Sequence, residues 1–182
     1  VVNRGFIAAT NSGGIGISAS HVGGGDGAIH IDNQGSVMGR GIGVAAVHER
    51  AGNITVDNAL DATIYGKTAG VSLVQMLSGT VTVNNDGAIK SFKGNAVHAA
   101  HGGAGDIAIN NSGSIKSKRD SAVSAVHLGE GNVVVTNTGS IKSRSGAAID
   151  LTHEGTGDLT VNLNAVAVEE DGEVSYLDNV VR

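Results

Sequence analysis

Apolar and polar residues alternate along most of the chain in short runs of four or five positions. The segment Ile107–Asn111 reads Ile-Ala-Ile-Asn-Asn, and comparable runs start at Ile29, Ile54 and Val81. Alternation with period two places successive side chains on opposite faces of a strand, whereas an amphipathic helix repeats apolar residues every three or four positions. Helical spacing does not persist anywhere in the sequence. The pattern therefore predicts an all-β protein built from short strands.

The alternating runs belong to an internal repeat of about 26 residues. An Asn ends the first run of each copy, and these positions are separated by 25, 27, 26 and 26 residues: Asn33, Asn58, Asn85, Asn111 and Asn137. Each copy continues through two further apolar runs, separated by turns, to a Gly-rich corner. Three strands in a unit of constant length are typical of a solenoid. We predict a parallel β-helix (solenoid) of about six to seven coils of about 26 residues, with three short strands per coil.

The repeat covers residues 1–164, and we assign this range to the β-helix. Residues 165–182 lack the turn signature and carry an acidic Glu-Glu-Asp run at 169–171, so we expect a divergent last coil, a cap or a linker there. The chain does not begin with Met and shows no signal peptide, which is typical of a mature or excised piece. No apolar run is long enough to form a membrane-spanning helix.

Composition narrows the candidate chemistry. The chain has 182 residues with 29 Gly, no Cys and no Pro, and aromatic residues make up 2% of it. Without Cys, the chain has no disulfide bonds and no thiolate metal sites. Scarce aromatic side chains and abundant Val, Ile and Ala favour a thin core between strands.

The repeated Asn residues are expected to form a ladder inside the solenoid. Stacked coils place equivalent residues above one another at a spacing of about 4.8 Å. In such a column, each side-chain amide can donate a hydrogen bond to the side-chain carbonyl of the next Asn. The ladder would satisfy polar groups that a dry corner otherwise leaves without partners.

Five of the seven His residues also occupy one position of the repeat, and we assign Leu77 to that position in the third coil. The five are His21, His48, His101, His127 and His153. We favour a structural column in which one ring nitrogen of each His bonds a backbone group at the corner. Zinc or copper capture by neighbouring imidazoles is the alternative, but neither a Cys nor a carboxylate lies at one fixed spacing from all five His residues, so we predict no metal. Protonation is hypothesised to loosen the stack at acid pH.

We assign nine of the 12 Lys and Arg residues to the turn after the second strand of a coil. They are Arg40, Lys67, Lys90, Lys93, Lys116, Lys118, Arg119, Lys142 and Arg144. Stacking would align them as a basic stripe on one edge of the rod. Acidic residues concentrate at the Gly-rich corner, so the net charge of -5 conceals a segregated surface.

The basic stripe has two readings. It is either a solvated turn, as is ordinary for Lys at an edge, or a binding strip for a sulfated glycan, an anionic lipid surface or an acidic receptor. Nucleic acid is not expected as a partner, because Phe92 is the one aromatic side chain among these residues on which a base could stack.

The sequence shows no arrangement of catalytic residues. Solenoids of this kind include pectate lyases and polygalacturonases, so polysaccharide cleavage by a lyase or hydrolase is kept as an outsider hypothesis. Glycoside hydrolysis requires two carboxylates at a defined separation, and adjacent Asp pairs are absent from the chain. Every polar feature recurs from coil to coil, whereas a catalytic site is normally unique. We therefore predict no enzymatic activity, no catalytic residues and no cofactor.

Two recurring motifs resemble a known family. The segment Val83–Ser91 reads Val-Asn-Asn-x-Gly-x-Ile-x-Ser, and Ala96–Asp106 reads Ala-Val-x-x-x-His-x-Gly-x-Gly-Asp. Over residues 1–164 the chain resembles the passenger domains of Gram-negative type V autotransporters. The resemblance implies a right-handed parallel β-helix that is exported through the periplasm and outer membrane, and then secreted or held at the cell surface. The Ile-Lys-Ser turns are similar to those of the pro-angiogenic passengers of Bartonella, which act on the vascular endothelial growth factor receptor.

Two functions remain open at this point. The first is an adhesin or receptor agonist that binds a host cell-surface protein receptor or a sulfated glycan, and that is pro-angiogenic if the narrower resemblance holds. The second is an inert structural stalk segment. In both cases we expect a monomer that binds no nucleic acid and does not insert into a membrane through this chain.

Overall fold

The computed structural model describes residues 1–164 of the chain. Residues 165–182, for which we predicted a divergent coil, a cap or a linker, lie outside the described residues. Within residues 1–164 the structure is all-β, with 19 strands in three parallel sheets and no helix. The predicted solenoid with three short strands per coil is therefore confirmed.

Every third strand belongs to the same sheet. The first sheet contains β1 (Val2–Asn3), β4 (Ile29–Asn33), β7 (Ile54–Asn58), β10 (Val81–Asn85), β13 (Ile107–Asn111), β16 (Val133–Asn137) and β19 (Leu159–Leu163). The second contains β2 (Phe6–Ala9), β5 (Ser36–Gly39), β8 (Thr63–Gly66), β11 (Ala88–Ser91), β14 (Ser114–Ser117) and β17 (Ser140–Ser143). The third contains β3 (Ile17–His21), β6 (Ile42–His48), β9 (Ala69–Gln75), β12 (Val97–His101), β15 (Val123–His127) and β18 (Ile149–His153). We number the coils by their strands, so that the first coil holds β1–β3 and the sixth holds β16–β18.

The core is a stack of equivalent apolar side chains enclosed by the three sheets. Val81 of β10, for example, pairs with Ile54 in the coil before it and with Ile107 in the coil after it. All three side chains are fully buried. Burying an aliphatic side chain of this size contributes about 1.5–3 kcal/mol, and the same contact repeats in every coil. The hydrophobic columns therefore supply most of the stability of the rod.

The buried Asn residues form the ladder that their spacing predicts, and it begins one coil earlier, at Asn3. Nδ2 of each Asn donates to Oδ1 of the next at 2.6–2.7 Å, from Asn3 through to Asn137. The amides also bond the backbone of the turn, as Asn111 does with the carbonyl of Gly113 at 3.3 Å. Leu163 follows Asn137 in the column and ends the ladder.

Replacing Asn85 with Ala tests the ladder. The substitution leaves the Asn58 amide without its acceptor and the Asn111 carbonyl without its donor. Each buried polar group left unpaired costs about 1–3 kcal/mol, so we predict that the free energy of unfolding in urea falls by about 2–5 kcal/mol.

The matched control for that substitution is Asn110→Ala. Asn110 is exposed on the outer face of the same sheet, where it donates to Asn84 Oδ1 at 2.9 Å. Water can replace that bond, so the expected change is within about 0.5 kcal/mol. Equal losses in the two variants would show that the inner ladder has no special role in stability.

Candidate functional site

The basic stripe lies along the second sheet and the turn that follows it. The assignment of all nine residues to the turn is wrong for three of them, because Lys90, Lys116 and Lys142 are the third residues of β11, β14 and β17. Ile and Ser on either side of each Lys point into the core, so the Lys side chain has to face solvent. The three Lys pair in register and therefore stack on consecutive coils.

The turn after the second strand changes length along the rod. It comprises residues 40–41 in the second coil and 67–68 in the third, but 92–96, 118–122 and 144–148 in the next three. The longer turns carry most of the remaining basic residues. Seven of the nine thus lie on three consecutive coils, over about 10 Å of the axis: Lys90, Lys93, Lys116, Lys118, Arg119, Lys142 and Arg144.

Inward-facing Ser residues hold the longer turns in place. Ser117 Oγ donates to the carbonyl of Gly94 at 2.9 Å, and Ser143 Oγ donates to the carbonyl of Asp120 at 2.7 Å. Each Ser therefore anchors the turn of the preceding coil. Gly39 occupies the equivalent position in the second coil, where a Cβ would collide with the backbone of Ile42, the first residue after the shorter turn.

Within residues 1–164, no Lys or Arg of the stripe has a carboxylate within 4 Å, although Asp120 follows Arg119 in the same turn. Lys118 Nζ and Arg119 Cζ lie 4.7 and 5.1 Å from the ring centroid of Phe92, which are cation–π contacts. Within residues 1–164, the one contact closer than 4 Å between a basic and an acidic side chain joins His30 to Asp57, away from the stripe. The stripe is therefore a dense positive surface on a regular backbone, with its charge available to an anionic partner.

The His column runs along a different corner, where the strands of the third sheet end. Register aligns His21 with His48, and His101 with His127 and His153. The centroids of adjacent rings lie 4.6, 4.8 and 5.1 Å apart in these three contacts.

Gln75 holds the His position in the third coil, so the assignment of Leu77 to it is wrong. Gln75 Nε2 donates to the carbonyl of Gly52, in the way that the His rings bond the corner of the preceding coil. The regular spacing of 26 or 27 residues was the sequence signal that identifies Gln75. Gln75 was not predicted from the sequence because it is a Gln at a repeat position that His otherwise occupies.

Backbone contacts engage both nitrogens of the central His rings. Nε2 of His101 donates to the carbonyl of Gly79 at 2.7 Å, and Nδ1 accepts from the N–H of Gly103 at 3.1 Å. His127 makes the same two contacts one coil further on, at 2.6 and 3.2 Å. These partners require a neutral imidazole with its proton on Nε2, and they leave neither ring nitrogen for a metal. Among the described residues, no cluster of three or more His, Cys, Asp or Glu is placed to hold a metal ion.

The outer face of the third sheet brings a Ser, a His and an Asp into one column without forming a catalytic triad. His98 Nδ1 lies 3.4 Å from Ser124 Oγ, and Asp150 follows Ser124 in register. In a triad the His lies between the Ser and the carboxylate, whereas here Ser124 is the middle residue. The arrangement does not orient His98 as a base for Ser124.

Protonation of His101, within the His column, is expected to oppose folding. Burial lowers the pKa of His101, because the imidazolium ion is poorly solvated at this corner; the bond to Gly79 opposes the shift and the charge on His127 adds to it. The unfolded chain therefore binds this proton more readily than the folded chain. Stability from His101 is fully present above its unfolded pKa of about 6.5 and is lost as the pH falls below that value.

We predict a lower midpoint of thermal unfolding at pH 5 than at pH 8, as followed by circular dichroism. His101→Gln, which copies Gln75, should reduce this difference because it keeps a donor and removes a titrating ring. The reciprocal change Gln75→His should enlarge it by adding a ring to the stack. An identical pH difference in all three proteins would contradict a role for the column.

Comparison with known proteins does not identify a family for this chain. The chain matches no protein-family model, no curated protein and no solved structure. Within residues 1–164, no helix is long and apolar enough to cross a membrane. The resemblance to autotransporter passengers therefore stays a prediction.

Proposed function

We propose that this chain is an extracellular binding module that presents its basic stripe to a sulfated glycan on a host cell surface. The observation that carries the proposal is the concentration of seven Lys and Arg residues on three consecutive coils without a carboxylate partner within residues 1–164. A polyanion with charges repeated along its length complements such an array. The attraction also accelerates encounter and favours anionic partners over neutral ones.

The fold supports this proposal by holding the cations in place before binding. Lys90, Lys116 and Lys142 project from paired strands, one coil rise of about 4.8 Å apart. Lys118 and Arg119 lie against Phe92, which restricts their side chains. Preorganisation reduces the entropy lost on binding. Because Phe92 already contacts two cations, it is a poor platform for a nucleic acid base.

The family resemblance supports an extracellular location for the module. It favours export through the periplasm and outer membrane, followed by secretion or display at the bacterial cell surface as a virulence-associated adhesin. Binding to a host protein receptor and stimulation of angiogenesis through the vascular endothelial growth factor receptor follow from the narrower resemblance and remain predictions. Enzymatic activity is not part of the proposal. The opposing alternative is an inert stalk, which would need no concentrated charge.

Neutralising part of the stripe tests the proposed function. Lys118→Gln with Arg119→Gln should weaken binding to heparin fragments about tenfold, or about 1.4 kcal/mol, because two cations at the centre of the stripe are lost. The measurement is surface plasmon resonance at fixed ionic strength, since salt screens such contacts.

The matched control removes the same charge from elsewhere on the rod. Arg4→Gln with Arg50→Gln changes two cations outside the stripe, and we expect the heparin affinity to stay within about twofold, well under the 1.4 kcal/mol of a tenfold change. Equal weakening by both pairs would indicate attraction to overall charge. No saturable binding by the native chain would favour the inert stalk.

A further inference from the structure

A second surface of the rod exposes apolar side chains that the coil stacking does not require. Met76, Leu77 and Leu128 lie at the corner after the third sheet and are 48%, 49% and 53% exposed. Val74 and Val126 lie beside them on the outer face of the sheet. Contiguous apolar surface of this kind on a soluble domain commonly marks an interaction site.

Differences in side-chain size give this apolar surface a shape. In the fourth coil both outward positions carry small residues, Ala100 and Gly102. The adjacent coils carry larger residues at the same two positions, Val74 with Met76 and Val126 with Leu128. The contrast leaves an open notch of about 240 Å³, with Gln75 and His101 at its base. One bulky aliphatic side chain can enter a notch of this size.

Acidic side chains bound the notch at both ends. Glu49 lies one coil before Met76 in the corner column, and Glu154 lies one coil after Leu128, as their backbone hydrogen bonds show. Glu130 lies two residues beyond Leu128. Within residues 1–164, none of these carboxylates is paired with a Lys or Arg, although Arg50 adjoins Glu49 in sequence.

We propose that this notch docks a protein segment that carries a bulky aliphatic side chain flanked by Lys or Arg. The aliphatic side chain fills the space above Ala100 and Gly102, and the flanking cations meet Glu49, Glu130 and Glu154. Four coil rises separate Glu49 from Glu154, about 19 Å. An extended segment of about six residues covers that distance. This partner would bind independently of the glycan proposed for the basic stripe.

Charge favours a basic segment of another protein over a second copy of this chain or the chain's own residues 165–182 as the occupant of the notch. A symmetric contact with a second copy would bring two acidic rims together, which is unfavourable. The chain's own residues 165–182 include the acidic run at 169–171, whose charge matches that of the rim rather than complementing it. A basic segment with an apolar centre satisfies both the shape and the charge.

A random library of 12-residue peptides tests this assignment on the full chain. The library is selected on the native protein and counter-selected on Met76→Ser with Leu128→Ser, which removes binders of the basic stripe. We expect enrichment of peptides in which Leu, Ile, Met or Val has Lys or Arg within three residues on either side. No enrichment, or enrichment without basic residues, would overturn the proposal.

Affinities of the enriched peptides then locate the contact. Ala100→Leu fills the notch from its outer face and should weaken binding at least about tenfold. Val22→Ser changes an exposed side chain in the same corner column, beyond Glu49, and should leave the affinity unchanged. Lys118→Gln with Arg119→Gln should also leave it unchanged. Equal effects of Ala100→Leu and Val22→Ser, with native unfolding midpoints, would contradict the assignment.

Sedimentation of the native chain separates a partner from a second copy. We expect a monomer for both the native chain and the Met76→Ser with Leu128→Ser variant. A native dimer that this variant dissociates would assign the notch to a second copy, and would overturn the proposal.

Discussion

Each interior side chain of this rod packs mainly on its own equivalents in the coils before and after it. An apolar column such as Ile64, Ile89 and Ile115 satisfies this constraint because like residues fill the same space at every level. A polar column satisfies it either by bonding the backbone, as the His column does at its corner, or by donating and accepting from side chain to side chain along the axis. Asn meets the second condition because its amide carries both functions. The Asn ladder and the nearly constant length of the repeat are therefore two results of one geometric requirement.

The fold can be predicted from the sequence because stacking of equivalent side chains requires similar residues at regular intervals along the chain. Period-two alternation and the recurrence of Asn were sufficient for the strands, the coils and the ladder. One failure came where a residue type breaks the repeat, and another, the assignment of three Lys residues to the turn, came in its most regular part. Gln75 was missed because it replaces a His, although its spacing from His48 and His101 is regular. The position of Lys116 within a strand could have been inferred from the Ile and Ser beside it, because both face the core. The notch was not predictable in this way, because it depends on relative side-chain size across three coils rather than on any repeated residue.

The outside of the rod follows a different rule from the inside. Because the inward columns supply the stability, outward positions can vary from coil to coil at little cost to the fold. The second sheet shows this freedom at one outward column, where Met38, Tyr65 and Lys90 succeed one another on adjacent coils. A cluster of similar outward side chains, charged or apolar, on a few consecutive coils therefore indicates a function, since the fold does not require it. The basic stripe, on the fourth to sixth coils, and the apolar notch, on the third to fifth, both meet that criterion on different corners of the rod.

The separation of these two surfaces follows from the local character of coil stacking. Stability in such a stack is approximately a sum of contributions from each coil and its immediate neighbours. The stripe depends on the turn after the second sheet, where Ser117 and Ser143 anchor the backbone. The notch depends on the corner after the third sheet, where His101 holds the backbone through both ring nitrogens. Protonation of His101 has to disturb the contact between its Nδ1 and the N–H of Gly103, directly beside the notch, whereas the Ser anchors do not titrate. Acid pH should therefore act on the notch before it acts on the stripe.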